Sequence, residues 1–408
     1  KMRNGNNEKH ERTIQLGILG TEVALEGPLS KKSGASYLIS YRYSTLALFS
    51  AFKIPISFGT SAIPEYQDGG FRFNFPTKKA GVFSLSGIGG LSSISIVLSK
   101  IREKPRELYG DQTRDQYFSS NMGVTMLNHV YSFNTRTLMK TTLAYGIQDI
   151  SSDHYLILRD ANYVPDTTLP HILDYAQQEH KATLSWFIKH KIDAANSFKV
   201  GFFANRIQVD YADRVKINSL YDTIAGDILL KPWKHRLNTK TDFYLLQPYF
   251  AFTHRFNQKW STNLGLNVQF LTLNNKWTVE PRANLRYQFK ENQTLSLAYG
   301  LHSQMQPTYI YFTIPDSIVR NNVMTPNVER EMANKNLDFS KSHHVVLGWD
   351  LQHSRFLRFK TELYYQYIWN VPVYAKPSGV SLINRGATFT RFFPLYNLQN
   401  YGTGYNYG

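Results

Sequence analysis

The sequence predicts an all-β fold, a transmembrane antiparallel β-barrel, and three observations predict it. Between about residues 115 and 371, stretches of roughly 10–14 residues alternate apolar and polar positions. Tight polar turns join these stretches in pairs, and long polar loops separate the pairs. No apolar run reaches the ~18 residues of a membrane helix. Residues 261–273 show the alternation best: Leu264, Leu266, Val268 and Phe270 share one face, Asn263, Gly265, Asn267 and Gln269 the other.

The N-terminal third is the least regular. Residues 13–25 read as one strand whose phase slips at a bulge near 17–20. A turn over 27–34 precedes an alternating strand at 37–43. Residues 46–52 with 54–58 come nearest to a membrane helix, but Lys53 and Pro55 break them. Phe71, Phe73 and Phe75 lead through a turn at 76–80 into a strand at 82–88.

Five hairpins follow. Strands 117–131 and 137–148 flank a turn at 132–136, and strands 180–191 and 197–209 flank 193–196. Strands 242–255 and 260–273 flank 256–259, while 278–289 and 293–303 flank 290–292. Strands 342–352 and 356–370 flank 353–355. The count is about fourteen strands, with a fifteenth starting near Leu398. Loops are expected over about 149–178, 210–240, 304–341 and 371–396, long only at one end of the hairpins.

Each face names its solvent. Met139, Leu143, Tyr145 and Ile147 oppose Lys140, Thr142, Gly146 and Gln148. Full charges sit mid-strand on the polar face at Lys140, Arg286, Lys360 and Glu362, where a watery lumen accepts them and a dry core does not. Aromatic residues gather at both strand ends. Tyr131, Phe133, Phe256, Trp260, Phe289 and Phe356 lie near the short turns, and Tyr145, Trp277, Tyr299, Tyr367 and Trp369 near the long loops. Two such belts suit two membrane interfaces.

Composition sets further bounds. Among 408 residues there are 27 Tyr, 26 Phe and no Cys, which excludes disulfides, thiolate catalysis and cysteine zinc sites. The net charge of +16 first suggests a polyanion partner, but the cations are spread along turns, faces and loops, so nucleic acid is not expected. Residues 87–90, GIGG, lack the Lys-Ser/Thr of a phosphate loop and read as a glycine-rich strand exit. His343 and His344 are adjacent and point to opposite faces of a strand, so they do not share a metal. Residues 292–294, NQT, are a tight turn. Metalloprotease, nucleophile-elbow and calcium-loop motifs are absent, and the carboxylates are scattered, so neither an enzyme nor a cofactor is expected.

The loop after residue 304 is the best recognition candidate. It carries Tyr309, Tyr311, Phe312, Arg320, Arg330 and Lys335, a mixture suited to an anionic or sugar-like ligand. Glu329 and Glu331 flank Arg330 and neutralise it locally, so Arg320 is the better candidate cation. Ordinary loop packing is the competing reading for each of these residues.

Four stretches carry a family resemblance: residues 25–44 (LEGPLSKKSGASYLISYRYS), 63–76 (IPEYQDGGFRFNFP), 299–307 (YGLHSQMQP) and 336–348 (NLDFSKSHHVVLG). The first resembles the opening barrel hairpin of Bacteroidetes-type TonB-dependent receptors, and the others fall in the same order along that family. The resemblance implies a Gram-negative outer-membrane barrel of about 22 strands with an N-terminal plug. It implies energised uptake of a bulky solute such as a siderophore or glycan, and coupling to the TonB–ExbB–ExbD complex through the N-terminal region. Outer-membrane lipid surrounds such a barrel, and some relatives add a surface lipoprotein. Plug and final strands are not recognised here, so residues 1–408 are expected to form a partial barrel domain. A passive porin or fatty-acid-type channel, and a soluble all-β carbohydrate-binding module, are the alternatives.

Overall fold

The computed structural model describes residues 2–17, 20–45, 64–101, 112–216, 231–385 and 393–408. Its main sheet has 16 antiparallel strands in chain order. They are β1 Glu11–Leu16, β2 Thr21–Ser30, β3 Ala35–Tyr43, β4 Glu65–Pro76, β5 Val82–Ile96, β6 Arg114–Ser132, β7 Thr137–Leu156, β8 His171–Lys191, β9 Asn196–Val215, β10 Lys234–Arg255, β11 Trp260–Leu271, β12 Lys276–Lys290 and β13 Gln293–Gln304. A short helix, α1 Thr308–Tyr311, and a separate hairpin of β14 Ser317–Arg320 with β15 Val323–Pro326 interrupt the order. Then β16 Ser340–Gln352, β17 Arg358–Tyr374 and β18 Leu398–Tyr407 complete the sheet.

Contacts divide the chain into two compact units. The first holds residues 1–129, 142–182 and 207–242; the second holds 130–141, 183–206 and 243–408.

In the first unit, the single strand expected over 13–25 is two strands. β1 and β2 pair from Glu11↔Glu26 to Leu16↔Thr21, and the Gly17 N–H donates to the Gly20 carbonyl at 3.1 Å. The phase slip therefore marks a turn, not a bulge, which helps raise the strand count to 16. Residues 87–90 lie inside β5, paired with β4, rather than at a strand exit. The apolar stretch at 46–58 lies outside the described residues.

Residues 2–10 fold as a hook over the polar face of β2–β4. Both Arg3 guanidinium nitrogens donate to the buried Glu26 carboxylate at 2.5 Å, and the Asn6 N–H donates to it at 2.8 Å. Arg72 donates to Asn4 Oδ1 at 2.7 Å. Gly5 is essential to the fit, because a Cβ there falls on the Tyr37 carbonyl.

Strands run beyond the apolar zone. β8 starts at His171 and β10 at Lys234, so the loops expected over 149–178 and 210–240 shrink to 157–170 and 216–233. Cross-strand ion pairs hold these extensions: Arg214–Asp174 at 2.7 Å, Arg236–Asp213 at 2.6 Å and Lys240–Asp210 at 2.7 Å. Opposite charges facing across strands stabilise a sheet without apolar burial.

The second unit shows the alternation most simply. Leu285, Leu297, Leu347 and Leu363 align across β12, β13, β16 and β17. All four are exposed, Leu363 at 59%. The opposite face carries Gly300, His344 and Gln366 in one row and Arg286, Ser296, Gly348 and Glu362 in another. Burial is thus inverted relative to a water-soluble sheet: large apolar side chains face outward along the strands, while Glu280, Gln269 and Ser342 are buried. Conventional apolar cores sit at the long-loop ends, around Leu98 and Ile157 in the first unit and around Tyr311 and Phe339 in the second.

Candidate functional site

Polar positions of alternating strands bring one hydrogen-bonded ribbon together in the second unit. Thr183 Oγ1 donates to Asn205 Oδ1 at 2.8 Å. Asn205 Nδ2 reaches Gln247 Oε1 at 3.4 Å, and Gln247 Nε2 donates to Gln269 Oε1 at 2.8 Å. Gln269 Nε2 then donates to Glu280 Oε1 at 2.5 Å.

Glu280 is the hub. Only 1% exposed, it also accepts from the Ser303 N–H at 3.0 Å, Ser303 Oγ at 2.5 Å, Asn267 Nδ2 at 3.0 Å and Arg282 Nη2 at 2.7 Å. Five donors replace the water that a buried carboxylate loses. A second polar row follows on the same face. The His302 and His344 rings meet at 4.7 Å, Gln366 Nε2 lies 2.7 Å from His344 Nε2, and Asn406 Nδ2 donates to Gln366 Oε1 at 3.0 Å. Lys199 sits over the Phe187 and Tyr249 rings at 4.1 and 5.0 Å. Amides offer donors and acceptors together, so this face suits solutes rich in hydroxyl and amide groups. Among the described residues no His/Asp/Glu cluster fits a metal ion.

The loop after β13 is folded, and the six sequence-predicted residues have distinct places in it. Tyr311 and Phe312 are buried, and their rings pack the loop from inside. Tyr311 Oη accepts the Gln306 N–H at 3.0 Å, and burial pushes its phenol pKa up to about 12. Tyr309 is half-buried, its ring 6.1 Å from that of Phe393. Arg320 is exposed but carries its own carboxylate, since Nη2 donates to Glu331 Oε2 at 2.5 Å. Glu331 therefore neutralises Arg320, where sequence adjacency had assigned it to Arg330. Arg330 is exposed with φ of 57°, and Lys335 is exposed.

Three asparagines that sequence reasoning missed join this loop to the β17–β18 connection. Asn397 Oδ1 accepts the Val319 N–H at 2.8 Å and its Nδ2 donates to the Val319 carbonyl at 3.2 Å. Asn334 Oδ1 accepts the Leu398 N–H at 2.8 Å while its Nδ2 donates to Thr313 Oγ1 at 2.9 Å. Asn400 accepts the Asp338 N–H at 2.9 Å and donates to the Asn370 carbonyl at 2.8 Å. In the first unit, a cleft of about 550 Å³ is lined by Asp115, Tyr117, Asp153, Tyr155, Thr167 and Leu169.

An apolar outward face, a polar opposite face and long folded loops at one strand end define an outer-membrane β-barrel. Residues 58–408 match the family model described as TonB dependent receptor-like, beta-barrel, and the chain belongs to that family. No curated protein sequence matches it.

Solved structures agree on the fold. The siderophore receptor PirA from Acinetobacter baumannii superposes with a TM-score of 0.59 at 13% identity, over 100% of this chain and 60% of its own. The ferric-catecholate import receptor Fiu from E. coli K12 gives a TM-score of 0.63 at 10% identity, over 99% of this chain and 62% of its own. The RagAB peptide importer gives 0.58 at 12% identity, over 95% and 47%. The chain thus spans between 47% and 62% of the length of these three.

Proposed function

We propose that residues 1–408 form the barrel part of an outer-membrane receptor that imports a bulky solute with energy supplied through TonB. The observation that carries this reading is the amide ribbon from Thr183 to Glu280 on the face opposite the exposed leucines, within a chain of the receptor family. Such a wall serves passage of a large polar solute and holds no catalytic constellation, so the protein acts as a transporter rather than an enzyme. The exposed loop residues Tyr309, Arg320, Arg330 and Lys335 are its first solute contacts, with Tyr311 and Phe312 holding the loop in shape. The RagAB neighbours support a surface lipoprotein as a further partner.

Uptake measurement tests the proposal. In cells carrying the whole receptor, accumulation of the solute stops when the proton-motive force is collapsed. Accumulation that continues unchanged would mark a passive channel instead.

A further inference from the structure

Two tyrosine–histidine pairs on the outward face have no part in the uptake reading. In the second unit, Tyr299 Oη lies 2.9 Å from His343 Nδ1 with the rings at 5.8 Å. The His343 ring stacks on Trp369 at 4.4 Å, and Trp369 stacks on Tyr367 at 6.0 Å. In the first unit, Tyr145 Oη lies 2.6 Å from His180 Nδ1 with the rings at 5.9 Å. Each pair belongs to the apolar face, Tyr299 two residues from Leu297 and Tyr145 between Leu143 and Ile147, all exposed.

Both pairs stand at the same depth. They lie about ten residues from the short turns of their strands, the length a tilted strand needs to cross the ~30 Å hydrocarbon core. This is where lipid headgroups begin on the long-loop side.

The chemistry of each pair is the same. If the phenol donates to Nδ1, the imidazole proton sits on Nε2 and is unspent; if Nδ1–H donates, the phenol proton is unspent. Either arrangement presents one unused donor at the edge of the apolar belt. Among the described residues, Nε2 of His343 and of His180 has no hydrogen-bond partner. Lys341 adds a cation on the same face, two residues from His343 and 3.7 Å from Asp338. Aromatic packing alone needs neither imidazole, and phenylalanine would fill the same space.

We propose that these pairs are binding sites for the phosphorylated headgroup of an outer-leaflet lipid. The inference rests on the strands crossing a bilayer. An anionic oxygen takes the unspent donor, and the stacked rings cover the adjoining sugar or glycerol face.

The test uses the 408-residue protein folded into phosphatidylcholine vesicles doped with diphosphoryl lipid A or with its dephosphorylated counterpart. Lipid retained after transfer to detergent is counted by native mass spectrometry. The expected result is enrichment of the phosphorylated form by about tenfold, the value of one charge-assisted hydrogen bond. His343→Phe with His180→Phe should abolish it while the heat-modifiable gel mobility of the folded protein is kept. Enrichment that survives the double substitution, or is absent from the parent protein, overturns the proposal. Inorganic phosphate competing as well as the lipid would reassign the sites to free anions and likewise overturn it. Failure to insert even into undoped vesicles would instead strike the bilayer reading.

Discussion

Leu347→Arg tests the face assignment on which everything else depends. Leu347 sits near the middle of β16, aligned with Leu297 and Leu363, and is exposed on the face read as lipid-facing. A cation there meets hydrocarbon at about the bilayer midplane, at a cost of about 2–4 kcal/mol. Its neighbour Val346 faces the other way, in line with Ala298 and Tyr364, so Val346→Arg reaches water and should cost under about 1 kcal/mol. Trp349→Arg is outward too but nearer the short turn, and depth reduces its cost to about 0–1 kcal/mol. The three values follow from side and depth alone. Reversible urea unfolding from lipid vesicles, followed by tryptophan fluorescence, gives each one; Leu347→Arg leaves the tryptophans in place. Equal costs at 346 and 347, or a larger cost at 349 than at 347, would show that the strand faces are misassigned.

Other residues carry equally definite expectations. Glu280→Ala strands Arg282, Gln269, Asn267 and Ser303 and should cost about 3–5 kcal/mol in the same unfolding assay, against about 1–3 for Glu280→Gln; a loss below 1 from alanine would deny the hub. Gly5→Ala should release the N-terminal hook, read as faster tryptic cleavage at Arg3 and Lys9, and unchanged cleavage would mean the hook was never seated. Tyr311 keeps its proton to about pH 12, so absorbance at 295 nm should show one phenol titrating there that Tyr311→Phe removes. Its folded pKa lies above the unfolded value near 10, so the loop's stability is complete below about pH 10 and falls as pH rises towards 12. Thermolysin cutting within the loop should therefore accelerate in that window in the parent protein more than in Tyr311→Phe.

Sequence periodicity exposed the membrane strands because period two needs only neighbours along the chain. Leu264 to Phe270 announce their face unaided, and His343 and His344 were correctly placed on opposite sides. The charged extensions of β8 to β10 were hidden because Asp174, Asp210 and Asp213 resemble loop residues until Arg214, Lys240 and Arg236 come alongside. Glu280 looked like one scattered carboxylate, since its five donors arrive from three different strands and its own. The partner of Arg320 was misread for the same reason: Glu331 is eleven residues away in sequence and adjacent only once the loop folds.

The asparagine stitching between the two longest folded loops has an evolutionary consequence. Asn397 holds Val319 across 78 positions of sequence, and Asn334 holds Leu398 across 64. Neither loop keeps its conformation if the other changes length near those asparagines. Descendants that acquire a new nutrient must therefore exchange both loops as one cassette, and loop lengths on the two sides of β16 and β17 should vary in concert across lineages.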